Sequence, residues 1–149
     1  MRPAETEKPG GSPVVLCVDD DPGVLSCLRR LLRNEPYRVE TDSDPEHALE
    51  RVSMGDVSLV LVDQRMPGMC GSDFTERVRQ ISPATLRVML TAYPGNVFVH
   101  HGLSDGVEWL VSKPWNDEAL KITLMQLLRD PRAAREKSAS KRRHRGETS

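Results

Sequence analysis

Polar anchors follow four separate apolar runs in this 149-residue chain: Asp19-Asp20 after Val14–Val18, Asp63 after Val57–Val62, Thr91 after Leu86–Leu90, and Lys113-Pro114 after Val107–Val111. If these runs are strands of one open parallel sheet, every anchor falls on the same edge. Three carboxylates gathered there repel one another, and a hard cation relieves them. Mg²⁺ suits the residue types, because it takes oxygen ligands, keeps several waters and binds through one or two carboxylates plus phosphate. No His/Cys cluster argues for zinc. A carboxylate beside such a cation can attack a phosphoryl group and carry an acyl phosphate. Thr91 would offer a hydroxyl to a phosphoryl oxygen, and the small Ala92 leaves the neighbouring backbone N–H open. Lys113 would place a positive charge near Asp63 and later near the phosphate. Pro114 is a candidate for a cis bond.

Each anchor also has a plainer reading. Asp19 and Asp20 can be helix N-caps ahead of Pro22. Asp63 can be a turn residue before Met66-Pro67-Gly68. A single Thr or a single Lys-Pro carries no signal. The joint arrangement at separate strand ends is what favours a site.

The elements that must position these groups follow from periodicity. Val14–Val18 is a short β-branched run of the kind buried on both sheet faces. Pro22 opens a helix with Val24, Leu25, Leu28, Leu31 and Leu32 at helical spacing, stopped by Pro36. Tyr37–Thr41 reads as a second strand, and Ser43-Asp44-Pro45-Glu46 as a helix start before Ala48, Leu49 and Val52. Val57–Val62 is the strongest strand. Phe74, Val78 and Ile81 mark a third helix ending near Pro83. Leu86–Leu90 is the fourth strand, a weak short helix is expected over Asn96–Leu103, and Val107–Val111 is the fifth strand. Asn116 and Asp117 cap a last helix with Leu120, Leu124, Leu127 and Leu128 on one face. Five strands alternating with five helices predict an α/β protein with a doubly wound five-stranded parallel sheet. Strand order 2-1-3-4-5 puts the switch point between strands 1 and 3, where Asp19-Asp20 and Asp63 fall.

The termini read differently. Residues 1–13 are polar, rich in Pro and Gly and without an apolar segment, so they are expected to be a disordered lead and not a secretory signal. Residues 14–128 form the predicted domain. Residues 129–149 hold 8 Lys+Arg against 3 Asp+Glu, whereas residues 1–128 hold 13 against 19, so a basic tail follows an acidic domain. The tail has no aromatic interleaving and no DNA-binding module, so nucleic-acid binding is not expected of it. No apolar run is long enough for a membrane span. Cys17, Cys27 and Cys70 have neither metal-ligand nor redox spacing. Reduced thiols in a cytoplasm are expected, with Cys17 and Cys27 as small core fillers.

The segments VLCVDDDP, LVLVDQRMPGMCG, VMLTA and VSKPW together resemble the receiver domain of bacterial two-component response regulators over about Val14–Leu128. That resemblance implies a flavodoxin-like (βα)5 fold. It implies Asp63 as phosphoacceptor, Asp20 as a direct Mg²⁺ ligand, Asp19 acting through a bound water, and the backbone carbonyl of Arg65 as the third protein ligand. Thr91 becomes the switch hydroxyl and Lys113 the phosphate-contacting lysine. Phosphoryl transfer from a sensor histidine kinase or phosphotransfer protein is implied, followed by slow hydrolysis that the domain assists. The spellings DQRMPGM and KPW resemble a branch often joined to cyclic-dinucleotide phosphodiesterases. With about twenty residues after the last helix, a stand-alone receiver is expected, without a separate output enzyme.

One position departs from the pattern. Receivers usually carry Tyr or Phe three residues before the lysine, and here that residue is Leu110, with Trp109 one place early. Arg65 and Tyr93 occupy positions resembling lifetime-tuning sites. Adjacent His100-His101 would point different ways on a helix, which argues against a joint metal role. Ile122 and Met125 lie off the leucine face of the last helix and offer a partner or homodimer surface beside strand 5. Other readings stay open: a phosphate sink, a scaffold working without phosphorylation, or an aspartate-dependent phosphatase with Asp19 as nucleophile and Asp21 as acid.

Overall fold

The computed structural model describes residues 11–92 and 107–131. Its elements are β1 (Val14–Val18), α1 (Pro22–Leu31), β2 (Arg38–Asp42), α2 (Pro45–Val52), β3 (Leu59–Asp63), α3 (Gly71–Ile81), β4 (Leu86–Thr91), β5 (Trp109–Ser112) and α4 (Asp117–Arg129). All strand pairs are parallel and the order is β2-β1-β3-β4-β5, as the alternation of elements predicts. The helix expected over Asn96–Leu103 lies outside the described residues, as do Tyr93 and His100-His101. Residues 1–10 and 132–149 lie outside them too.

Alternate residues of each strand feed opposite faces of the sheet. Val15, Cys17, Leu59, Leu61, Val88 and Leu90 pack under α1 and α4, against Leu28, Leu32, Leu120 and Leu124. Leu16, Val18, Val60 and Val62 pack under α2 and α3, against Ala48, Val52, Phe74 and Val78. Helices therefore cover both faces, which explains why β1 and β3 read as unbroken apolar runs.

Capping residues fix where helices begin. Asp21, not Asp19 or Asp20, caps α1: its carboxylate accepts the Gly23 N–H at 2.8 Å. Asp44 caps α2 through the Glu46 N–H, and Asn116 caps α4 through the Ala119 N–H. Each places a side-chain oxygen on an otherwise unpartnered first-turn amide.

Several expectations are corrected. Helix α1 ends at Leu31, short of Pro36, and β2 is one residue later than expected. Val57 is buried, yet β3 starts at Leu59. Cys27 is exposed, bordering a cleft with Arg30, Leu31, Pro114, Trp115 and Asp117, because it lies off the Leu25/Leu28 stripe. Met125 packs against the core beneath α4, so only Ile122 of that pair projects to solvent.

The β2 edge is polar. Arg51 bridges Glu40 and Asp56, and the His47 Nδ1 meets the Asp42 carboxylate. That hydrogen bond to Asp42 raises the His47 pKa above its usual 6.5. A raised folded-state value means the pair stabilises the fold fully below about pH 6.5, and the gain is lost as pH rises through the folded pKa. By ¹H NMR the His47 ring should titrate above 6.5, and Asp42→Asn should lower it toward the ordinary value. Identical titration in both proteins would contradict the pairing.

Candidate functional site

The register of the sheet decides which groups meet. Val18 pairs with Val62, so the residues after β1 and at the end of β3 emerge side by side. Asp63 pairs with Leu90, one residue before Thr91, and Thr91 pairs with Ser112, one residue before Lys113. The backbone closes this edge: the Lys113 N–H donates to the Thr91 carbonyl at 2.9 Å, and the Gln64 N–H to the Leu90 carbonyl at 3.0 Å. The Lys113-Pro114 peptide is cis.

Asp19, Asp20 and Asp63 each bring a carboxylate oxygen within 4.8 Å of the others. Asp19 and Asp63 are buried and Asp20 is exposed. Lys113 Nζ lies 2.7 Å from Asp63 Oδ1 and 3.5 Å from Asp19 Oδ2. Asp19 Oδ1 accepts the Asp21 N–H at 2.9 Å, while the buried Asp19 Oδ2 is left with the longer Lys113 contact. Burial, and then the Asp63 charge, push the Asp19 carboxyl above its ordinary pKa, against the Asp21 N–H and Lys113. Burial works against the Lys113 ammonium, but its hydrogen bond to Asp63 and the two carboxylate charges outweigh that and hold its pKa above the usual lysine value. One lysine thus pairs with two of the three clustered carboxylates.

That imbalance fits a divalent cation. All three side chains offer oxygen, Asp20 is open to water, and the buried Asp19 Oδ2 has only a long ion pair, 3.5 Å, with Lys113. The cluster is able to hold a metal.

The structure brings together Asp19, Asp20, Asp63 and Lys113 directly, and puts Thr91 and Ala92 at the next strand end. Thr91 is buried and Ala92 exposed. Arg65 is exposed in the loop after Asp63. Leu110 and Trp109 fall on opposite faces of the sheet by alternation. Leu110 pairs with Met89 and packs with Val107, on the face that Thr91 shares two residues beyond Met89. Trp109 pairs with Val88 and packs into the opposite core beneath α4. Trp109 therefore lies on the face opposite to Thr91.

Sequence reading missed two features. Arg87 and Glu108 form a buried ion pair at 2.9 Å joining β4 to the start of β5. Gln64 accepts two hydrogen bonds from Ser72 at the start of α3. Gln64 carries no local signal beyond the poor capping residue Cys70 ahead of that helix.

Fold and edge together define a doubly wound α/β protein with an acidic, lysine-countered cluster at its switch point. The chain belongs to the response regulator receiver domain family, whose model matches residues 15–125. Its setting is therefore two-component signalling.

Among relatives, it is 34% identical over 113 residues to the hydrogenase transcriptional regulatory protein HoxA of Cupriavidus necator, covering 75% of this chain and 23% of that protein. It is 33% identical over 115 residues to the transcriptional regulatory protein TcrA of Mycobacterium tuberculosis, covering 77% and 46%. The chain thus spans from about a quarter to about half of these relatives. Among solved structures, the signal receiver domain of an HD domain-containing protein from Pseudomonas fluorescens Pf-5 matches with TM-score 0.73 at 29% identity, covering 91% of this chain and 95% of that one. The chemotaxis protein CheY4 of Vibrio cholerae matches with TM-score 0.70 at 30% identity, covering 77% and 98%. Among the described residues no helix is long and apolar enough to cross a membrane.

Proposed function

We propose that Asp63 accepts a phosphoryl group, with Mg²⁺ held by Asp19, Asp20, Asp63 and the Arg65 carbonyl. The observation that carries this reading is a cluster of three carboxylates at the sheet's switch point with one lysine paired to two of them. When bound, Mg²⁺ would neutralise charge on the transferring phosphoryl group. The Asp63 carboxylate oxygen forms the new P–O bond. The bond from phosphorus to the donor's imidazole nitrogen breaks, and its electron pair stays on that nitrogen. Lys113, released from Asp63, is left to pair with the phosphoryl oxygens. Thr91 and the Ala92 N–H are the donors assigned to those oxygens.

The donor is a sensor histidine kinase or a phosphotransfer protein, and the outcome is altered protein–protein contact. Ile122 on α4, 56% exposed, marks a surface for a downstream partner or a second copy. A phosphatase using Asp19 and Asp21 is disfavoured. Asp21 is committed to capping α1, and Asp19 is tied to the Asp21 N–H. A phosphate sink shares the same chemistry, and a phosphorylation-independent scaffold would not need it.

The test is phosphoryl uptake from a small acyl phosphate with Mg²⁺ and with excess chelator. Uptake of one group with Mg²⁺, abolished by chelator, is expected. Uptake insensitive to chelator would overturn the role given to the acidic cluster.

A further inference from the structure

We infer that Gln64 is a positioning residue, whose side chain fastens the loop after Asp63 to the first turn of α3 and so sets the Arg65 carbonyl for the cation. The inference rests on the Asp63 and Mg²⁺ reading above.

Helix α3 starts without a side-chain cap of its own, since Cys70 at the N-cap makes no capping hydrogen bond. The missing partner comes from Gln64. Its Oε1 accepts the Ser72 N–H at 3.0 Å and the Ser72 hydroxyl at 3.1 Å. An amide oxygen has two lone pairs, so one atom serves both donors. The Gln64 carbonyl accepts the Gly71 N–H at 2.8 Å, and the Gln64 N–H donates to the Leu90 carbonyl at 3.0 Å. One residue thus ties β3, the end of β4 and the start of α3 together.

The closure is tight. A Cβ on Gly71 would lie 2.7 Å from the Asp63 carbonyl oxygen and 2.8 Å from the Gln64 Cα, both backbone atoms with little freedom to yield. Gly68 turns the loop with φ +80°, a conformation that suits glycine. Met66 is buried in the core beneath α2 and α3. Arg65 therefore lies between two anchored neighbours, Gln64 and Met66. Without its side-chain bonds Gln64 keeps only its two backbone ones, which loosens one side of the Arg65 peptide, whose carbonyl would be the ligand with no charge to hold it on the cation.

The experiment compares wild type, Gln64→Met and Gln64→Met/Cys70→Ser by Mg²⁺ titration, followed through amide NMR shifts, and by thermal unfolding. Gln64→Met is expected to lower Tm by about 4 °C through the lost cap. It should also raise the Mg²⁺ Kd about tenfold, as loss of an outer-shell support does. Ser at position 70 can cap the Ser72 N–H, since Cys70 already has extended N-cap geometry. The double variant should therefore recover Tm but keep the raised Kd. Recovery of both would make Gln64 a mere helix cap and overturn the inference, as would an unchanged Kd in Gln64→Met. Gln64→Asn, one methylene shorter, should raise the Kd likewise and serves if Gln64→Met does not fold. Wild type showing no Mg²⁺ response would overturn the parent reading, and this inference with it.

Discussion

Asp63→Asn is expected to reduce phosphoryl uptake by roughly 10³-fold or more, because the substitution removes the nucleophile and leaves no competent replacement. An amide oxygen is neutral and a poor attacking group. The neighbouring carboxylates do not substitute for it. Asp19 has one oxygen on the Asp21 N–H, and burial disfavours its charged form. Asp20 is exposed and follows β1 by two residues, facing water. Asp19→Asn should behave differently. It keeps the nucleophile but removes the buried acceptor of the acidic cluster, so uptake should fall only about 10- to 100-fold and respond to added Mg²⁺. Rates of uptake for the two variants over a range of Mg²⁺ concentrations separate the readings. A phosphatase built on Asp19 would give the reverse ranking.

Lys113→Met is expected to destabilise the protein by roughly 2 kcal/mol without Mg²⁺, and by clearly less with it. Removing one partner of a fully buried pair costs about 3–5 kcal/mol, because a charge is left unbalanced. Here Lys113 is 25% exposed, so water screens part of the loss. Asp63 and Asp19 would then face each other with no cation, and Asp19 is already pushed toward its protonated form. A divalent ion binding the cluster supplies the missing positive charge, and a ligand that binds only the folded state stabilises it by mass action. Urea unfolding of both proteins with and without Mg²⁺ measures this. A gap between them that Mg²⁺ leaves unchanged would mean that lysine and metal do not share a site.

Much of this arrangement was readable because three of the four anchors end fully buried strands, β1, β3 and β4, and the fourth follows the half-buried β5. Apolar runs are conspicuous, and the residue that ends one is fixed by the same pattern. Strand order, and with it the pairing of Asp19-Asp20 with Asp63, followed from alternation combined with right-handed crossovers and a doubly wound sheet. The capping roles of Asp44 and Asn116 were equally local, since a side chain meets an amide two or three residues on.

What escaped was tertiary. Arg87 sits inside an apolar run, and the charge is tolerated because Glu108, far along the chain, meets it in the interior. Nothing near Arg87 in sequence announces that partner. Gln64 is one polar residue in a loop, and its meaning arises only when the chain turns back so that Ser72 reaches it. Strand starts were misjudged for a related reason. Val57 is buried, but the hydrogen-bonded ladder, not burial, sets where β3 begins. Trp109 and Leu110 show the converse. Strand alternation assigns them to opposite faces once the register is known, and their identities alone do not.

The most direct measurement is the position of the phosphoryl group itself. After uptake from an acyl phosphate with Mg²⁺, borohydride reduces an aspartyl phosphate to homoserine. Trypsin then separates the candidates, since Asp63 falls in the peptide Val52–Arg65 and Asp19 in the peptide ending at Arg29. Homoserine at position 63 and at no other is the expected result. Homoserine at position 19, or none in a protein that has taken up phosphate, would contradict the assignment of Asp63.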